Sequence, residues 1–293
     1  MQDVEDFLAY LAGDRAYSPR TVSTYRDALE EFAAYLSQLD EPPTWRTLHV
    51  DVVRLWMAQQ MESGCGARTV NKKLSALRSF YRYLLRMKRV EHNPLSLLRN
   101  PKAVKPLPVF LRESELNRLF DDVLFPANYE GQRDRLMLLT FYHTGIRLSE
   151  LVGLEVKDVD LTSGELKVTG KRNKQRIVPF GAELREAFLR YLPSLSAVAT
   201  GSNALFLSQS GERISAAQVQ RVVKHYLSLV TSQKKRSPHV LRHTFATVML
   251  NHGADLETIR ELLGHESVAT TEVYTHTTFA DLKKAYEQAH PRA

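Results

Sequence analysis

The chain has 293 residues and a formal net charge of +7, with 40 Lys+Arg against 33 Asp+Glu. At roughly 150 residues per domain that length predicts two domains, and an apolar fraction of 43% with 25% charged residues excludes long disorder. One cysteine, Cys65, excludes a disulfide framework and a cysteine-based zinc cluster; no apolar run is long enough for a bilayer and no basic-then-apolar leader is expected, while a pI near 9.4 points to a polyanionic partner, nucleic acid first.

The charge is uneven along the chain. Residues 1–65 carry 5 Lys+Arg against 11 Asp+Glu, whereas residues 66–105 carry 11 Lys+Arg against the single acid Glu91. The acidic stretch reads as helices. Val4, Phe7, Leu8 and Leu11 keep helical spacing, and Ser18-Pro19 is a helix start that leads into Val22, Tyr25, Leu29, Phe32 and Leu36. Pro42-Pro43 breaks the pattern, and a third helix around 50–61 carries Val53, Trp56 and Met57 before Gly64 and Gly66. A fourth helix, from about Thr69 to Lys88, contains no acid at all. Val70, Leu74, Leu77, Tyr81 and Leu84 form its apolar stripe. Arg68, Lys72, Ser75, Ser79, Arg82 and Arg86 fall on a second stripe, which presents cations and small hydroxyls to phosphates.

Four prolines between Asn93 and Pro108, with Lys102 and Lys105 among them, predict a stiff basic linker over 93–108 between an N-terminal domain, 1–92, and a second domain, 109–293. Helical signals resume at Leu116, Leu119 and Phe120, and a long apolar helix runs through Leu136–Tyr142 to Gly145. Val159, Leu166, Val168, Ile177 and Val178, broken by Thr162-Ser163-Gly164 and by Gly170–Asn173, predict a small antiparallel sheet that stops at Pro179. Helices follow around 183–191, 216–230, 240–251 and 256–263, with a last apolar pattern at Phe279, Leu282 and Tyr286. The predicted fold class is mainly α: a helical bundle, then a mixed α/β domain with a small antiparallel sheet.

Four segments of the second domain hold unusual polar residues: Thr144–Leu151 with Arg147 and Glu150; the hairpin tip Gly170–Arg176 with Lys171, Arg172 and Lys174; His239–Phe245 with His239 and Arg242; and Leu263–Ser267 with His265, followed by Thr270–His276 with Tyr274. Singly, each has an ordinary explanation: an i,i+3 salt bridge, a solvated turn, a chance His-x-x-Arg, a surface His after a glycine cap, a packing Tyr. Their combination in this order resembles the tyrosine recombinase (phage integrase) family, most closely its bacterial Xer-type members. The family's Arg, Lys, His-x-x-Arg, His or Trp, then Tyr fall on Arg147, Lys171, His239, Arg242, His265 and Tyr274, and the flanks Thr-Gly-Ile-Arg-Leu-Ser-Glu-Leu, Leu-Leu-Gly-His and Thr-Thr-Glu-Val-Tyr-Thr-His also match. Tyr17–Val22, Asn93-Pro94 and the basic linker extend the resemblance to nearly the whole chain. One departure is Arg112, where similar chains carry a capping Ser or Thr.

The resemblance implies a SAM-like core-binding domain before a catalytic domain, both gripping one duplex, and site-specific DNA recombination: Xer-like chromosome-dimer resolution, or integration, excision or inversion of an element. It also implies a cytoplasmic, nucleoid-associated protein. Tyr274 would attack a phosphodiester and form a 3′-phosphotyrosine. A phenol titrates near ~10, so neighbouring cations must favour its phenolate. Arg147 and Arg242 would clamp the non-bridging oxygens, Lys171 would protonate the departing 5′ oxygen, His239 and His265 would hydrogen-bond the phosphate, and Glu150 would orient Arg147. The DNA contacts expected are Arg68, Lys72, Arg82, Arg86, Lys102, Lys105, Arg172 and Lys174. No metal and no cofactor is expected: the histidines lack a neighbouring Cys or a metalloprotease spacing, and there is no phosphate-binding Gly-x-x-x-x-Gly-Lys-Ser/Thr loop. The partner implied is double-stranded DNA, with a homo- or hetero-tetramer on two duplexes, and no membrane. The last apolar pattern fits a helix folded back on its own domain as well as the family's helix docked into a neighbouring protomer. The alternatives are a type IB topoisomerase using the same chemistry and a non-catalytic DNA-binding regulator.

Overall fold

The structure, a computed structural model, describes residues 1–104, 108–170, 173–199, 201–264 and 279–293. It divides into two compact units, Met1–Pro106 and Leu107–Ala293. Among the described residues no helix is long and apolar enough to cross a membrane.

The first unit is a bundle of α1 (Gln2–Ala12), α2 (Pro19–Ser37), α3 (Val50–Glu62) and α4 (Ala67–Arg86). Ser18 caps α2, its hydroxyl accepting from the Thr21 N–H at 3.2 Å, with Pro19 in the first turn. The predicted stripes close on one core. Phe32 meets Trp56 edge-on at 4.8 Å, Trp45 meets Phe80 at 5.0 Å and Phe7 meets Phe80 at 5.4 Å. The fully buried rings among them, Phe7, Phe32, Trp56 and Phe80, each contribute roughly 1.5–3 kcal/mol of burial free energy.

The bundle extends beyond its last helix. Residues 93–101, read from the sequence as the first half of a linker, pack on it: Leu95 and Leu98 are buried in the same core. Asn93 Oδ1 accepts from the Leu95 N–H at 2.9 Å, Arg78 donates to Asn100 Oδ1 at 2.6 Å and to the Leu98 carbonyl at 2.7 Å, and Asn71 Nδ2 donates to the Pro101 carbonyl at 3.0 Å. The prolines do prevent regular structure, but two leucines among them have somewhere apolar to go, so this stretch belongs to the bundle rather than to a spacer.

The second unit contains α5 (Glu113–Asn117, continued by a π-turn), α6 (Tyr129–Thr144), α7 (Leu148–Gly153), strands β1 (Val159–Asp160), β2 (Glu165–Thr169) and β3 (Gln175–Pro179), then α8 (Ala182–Val198), α9 (Ala216–Val230), α10 (Pro238–Asn251), α11 (Leu256–Leu263) and α12 (Phe279–Ala289). Helix α6 is buried from Leu136 to Thr144 and packs on α8 and α10. The sheet is antiparallel in the order β1-β2-β3, with Leu166 opposite Val178 and Val168 opposite Arg176. Arg112 precedes α5 without a capping side chain of its own; Glu115 Oε2 accepts its N–H at 2.8 Å instead.

One expected boundary shifts here, and the last helix, whose seat the sequence leaves open, lies on its own unit. Helix α8 does not end at Tyr191 but runs through Pro193, which faces solvent while Leu184, Phe188, Tyr191 and Leu195 keep the buried stripe going. A proline whose missing N–H lies on the exposed side lets water satisfy the freed carbonyl. The C-terminal helix α12 lies on its own unit: Tyr286 is 1% exposed with Oη 3.2 Å from His143 Nδ1, and Arg292 donates to Glu183 Oε2 at 2.8 Å and to Asp121 Oδ1 at 2.6 Å.

Candidate active site

The described parts of the second unit's polar segments meet around one glycine. Helix α6 ends at Gly145 in a left-handed conformation, φ 59°. A Cβ there would come within 2.5 Å of Phe245 Cδ1 and 2.7 Å of Leu263 Cδ2, so only glycine lets α10 and α11 close against this turn. Two residues on, Arg147 stands at the N-terminus of α7. Its backbone N–H is accepted by Glu150 Oε2 at 2.8 Å, and its guanidinium donates through Nη1 to Glu150 Oε1 at 2.7 Å. The i,i+3 spacing predicts that pairing.

Arg242, on the inner face of α10, is 5% exposed. Its Nη1 donates to the Gly145 carbonyl at 2.6 Å and its Nη2 to the Leu263 carbonyl at 2.8 Å, while Arg147 Nη2 donates to the Gly264 carbonyl at 2.8 Å. Both guanidiniums therefore rest on the C-terminal carbonyls of α11, which carry the negative end of the helix dipole and have no intrahelical partner. Burial lowers Arg242 to about 10, helped by the nearby positive charge of Arg147, and it stays charged at neutral pH.

Glu150 is the counter-charge of the group. Burial alone would raise its pKa, but hydrogen bonds from Arg176, from the Arg147 backbone and from the Arg147 side chain outweigh it and hold the carboxyl at about 2. Its second partner, Arg176 on β3, donates through Nη1 to Oε1 at 3.0 Å and through Nη2 to Oε2 at 2.9 Å. In the sequence Arg176 is only the last residue of a basic hairpin tip. No linear signal singles it out, because Ile177 and Val178 are both apolar and leave the inward face of the strand undecided. Val178 is buried and Gln175 and Ile177 are exposed, so Arg176 occupies an inward position, where an unpaired cation is not tolerated.

His239 shares the helix face of Arg242 but is exposed, its ring 5.9 Å from that of His243 and nearly parallel to it. Partial burial, then the positive charges of Arg242, Lys235 and Arg147, push its imidazole below the usual value, which favours the neutral ring at pH 7. Lys171, Arg172, His265 and Tyr274 lie outside the described residues, as does Lys105.

The predicted surface cations of the first unit have a mixed environment. Arg68, Lys72 and Arg82 are exposed along α4, and Lys102 is exposed further on. Arg86 is exposed too but is engaged with α1, donating to Tyr10 Oη at 2.8 Å with its guanidinium 5.5 Å over that ring. Lys73, off the stripe, is held between Glu31 and Gln60, each at 2.6 Å. Between α4 and the packed 93–100 segment lies a cleft of about 470 Å³ to which Ser75, Arg82, Asn93, Ser96 and Asn100 contribute. In the second unit Lys174 is exposed at the end of the hairpin.

Comparison with known proteins gives one answer for both units. Residues 109–281 match the phage integrase family, and residues 4–88 match its N-terminal SAM-like domain. Tyrosine recombinase XerC of Chlorobaculum tepidum is 41% identical, with 98% of this chain and 94% of that protein covered. Tyrosine recombinase XerC of Bacillus subtilis is 38% identical, with 99% and 96% covered. Among solved structures, the XerA recombinase is 28% identical over 100% of this chain and 99% of its own, with a TM-score of 0.50. The XerH site-specific recombinase in a post-cleavage complex with a palindromic difH substrate is 23% identical over 90% of this chain and 78% of its own, with a TM-score of 0.74, which is a likeness of fold. The chain belongs to the phage integrase family: it is a tyrosine recombinase, an enzyme of site-specific recombination.

Proposed function

We propose that the chain cuts and rejoins double-stranded DNA at a specific site, with Tyr274 as the nucleophile and Arg147, Arg242, Lys171, His239 and His265 as the groups that act on the scissile phosphate. The observation that carries the reading is the convergence of the Arg147 and Arg242 guanidiniums on the C-terminal turn of α11, because the chain runs straight from that turn into the segment that holds His265 and Tyr274.

The chemistry follows from charge. The tyrosine oxygen attacks phosphorus, a P–O bond to the 5′ oxygen breaks, and the phosphoryl oxygens gain negative charge in between. A guanidinium carries five N–H donors, so binding one or two carbonyls does not exhaust it. Two such forks, fixed before the substrate arrives, stabilise that charge at no reorganisation cost. Glu150 holds Arg147 by backbone and side chain together. Lys171 delivers a proton to the leaving 5′ oxygen, and the neutral His239 accepts or donates a hydrogen bond at the phosphate. The 3′-phosphotyrosine conserves the energy of the cut bond, so a second 5′ hydroxyl restores a phosphodiester without ATP.

The acid-free face of α4, with Arg68, Lys72 and Arg82, supplies phosphate contacts in the first unit, joined by Arg86, Lys102 and Lys105 and, on the hairpin, by Arg172 and Lys174. The basic stretch that follows the packed 93–101 segment connects the two units and tracks the same backbone. The active assembly is a tetramer on two duplexes, with α12 either kept on its own unit or docked on a neighbouring protomer. Solved relatives such as XerH bound to difH support DNA as the partner.

The test is a covalent trap. Wild-type protein incubated with nicked genomic fragments should yield protein–DNA adducts, and sequencing the attached DNA identifies the site. Tyr274→Phe should bind a duplex of that sequence and form no adduct. Adduct formation by the Phe variant sinks the assignment of the nucleophile.

A further inference from the structure

We propose that Arg176 is a positioning residue for strand cleavage: it sets the seats of both phosphate-binding arginines by gripping, from one guanidinium, the Glu150 carboxylate and the C-terminal turn of α11. The inference rests on the catalytic reading of Arg147 and Arg242 given above.

Three arginines bind three successive carbonyls at the end of α11. Arg176 Nε donates to Leu262 O at 2.9 Å, Arg242 Nη2 to Leu263 O at 2.8 Å and Arg147 Nη2 to Gly264 O at 2.8 Å. The last carbonyls of a helix lack intrahelical donors, so the cations here use backbone that would otherwise need solvent. Of the three arginines, Arg176 alone is on a strand. Its bidentate grip on Glu150 fixes the plane of that carboxylate, and the lone pairs left over point to the backbone N–H and Nη1 of Arg147. The carboxylate then has four donors from two arginines, which is its full capacity.

The packing around the guanidinium is equally specific. Gly264 has φ 62°, and a Cβ there would lie 3.0 Å from Arg176 Nη1 and 3.1 Å from its Cζ. The guanidinium occupies the space that a side chain at position 264 would need. Its side chain is 16% exposed, and that of Glu150 2%. A lysine cannot replace this arrangement, because one ammonium cannot span both carboxylate oxygens and a carbonyl on another element. Among the described residues, the charged groups facing Glu150 are Arg147 from the start of α7, Arg176 from β3 and Arg242 from α10.

A buried Arg–Glu pair can also be a fold stabiliser and nothing more, and the experiment separates the two roles. The probe is a nicked duplex carrying the site recovered from wild-type adducts. Binding is read by gel shift and cleavage by single-turnover adduct formation. Arg176→Gln should bind within about threefold of wild type and cleave at least about 30-fold more slowly, and Arg176→Lys should recover little of that loss. Because Arg176→Gln strands a buried carboxylate and can fail to fold, the neutral double variant Glu150→Gln/Arg176→Gln is measured beside Glu150→Gln. Action through Glu150 is already lost in Glu150→Gln, so further slowing in the double variant reads the grip of Arg176 on the end of α11. Arg176 variants, or a folded double variant, that cleave like wild type overturn the inference. Cleavage left intact by Arg147→Lys and Arg242→Lys would instead sink the catalytic reading on which it rests.

Discussion

The protein uses arginine in two physical regimes, and the contrast between α4 and the end of α11 shows what each is for. On α4 the cations Arg68, Lys72 and Arg82 stand in water on a helix without a single acid. Their attraction for a polyanion is long-ranged, screened by salt and indifferent to the exact shape of the cation. At the end of α11 the charges are directed. Arg242 is nearly inaccessible, and it donates to the Gly145 and Leu263 carbonyls. Glu150 is bound to two arginines at once. On the proposed reading, surface cations supply affinity and enclosed, hydrogen-bonded cations supply geometry. Neither can do the work of the other, because solvation that makes a charge cheap to display also makes it weak in any one direction.

The contrast is sharpest at Arg242. Replacing it with lysine keeps the charge and loses the fork, so single-turnover cleavage should fall by ~10²–10³ while binding to a half-site duplex changes by less than about threefold. A cleavage loss matched by an equal loss of binding would put Arg242 in the same regime as α4.

The next effect is thermodynamic. Glu150 titrates at about 2 in the folded chain against an ordinary value of 4.5. The folded carboxyl is the stronger acid, so its contribution is complete above about pH 4.5 and is lost as pH falls towards 2. The magnitude is on the order of 3 kcal/mol. Urea unfolding of the wild type across that window should lose stability steeply, and Glu150→Gln should flatten this part of the curve. Parallel curves for the two proteins would show that the arginine cluster does not depend on the ionised carboxylate.

The smallest effect belongs to α4. Lys72→Ala and Arg82→Ala should each weaken DNA binding several-fold at low salt, reduce the slope of log affinity against log salt by about 1, and leave the cleavage rate of bound complex unchanged. A variant that slows cleavage at saturating protein would mean that α4 takes part in more than affinity.

Much of this molecule is legible in its amino-acid sequence. The helix start at Ser18-Pro19, the helix end at Gly145, the alternation of β2 and the acid-free α4 each follow from local rules, and the Arg147–Glu150 pairing follows from i,i+3 spacing. What escapes a linear reading is whatever depends on backbone groups or on burial. The carbonyls of Leu262, Leu263 and Gly264 are present in every sequence and carry no mark of their use. Arg176 looks like one more cation of a basic hairpin until its inward register gives it a partner. Leu95 and Leu98 are hidden among prolines, and the end of α8 falls beyond its predicted limit of Tyr191 because spacing alone does not tell which side of a helix faces water.

Local periodicity and capping residues determined the type of most elements, because that is set by neighbours within a few residues, and the order of a few polar side chains along the chain determined its family. Which carbonyls seat which guanidinium, which face of β3 is inward and where α12 rests were decided only by the tertiary fold. These depend on contacts between residues as far apart as Arg147 and Gly264, and one-dimensional spacing holds no information about which distant backbone groups a closed core will bring within hydrogen-bond reach.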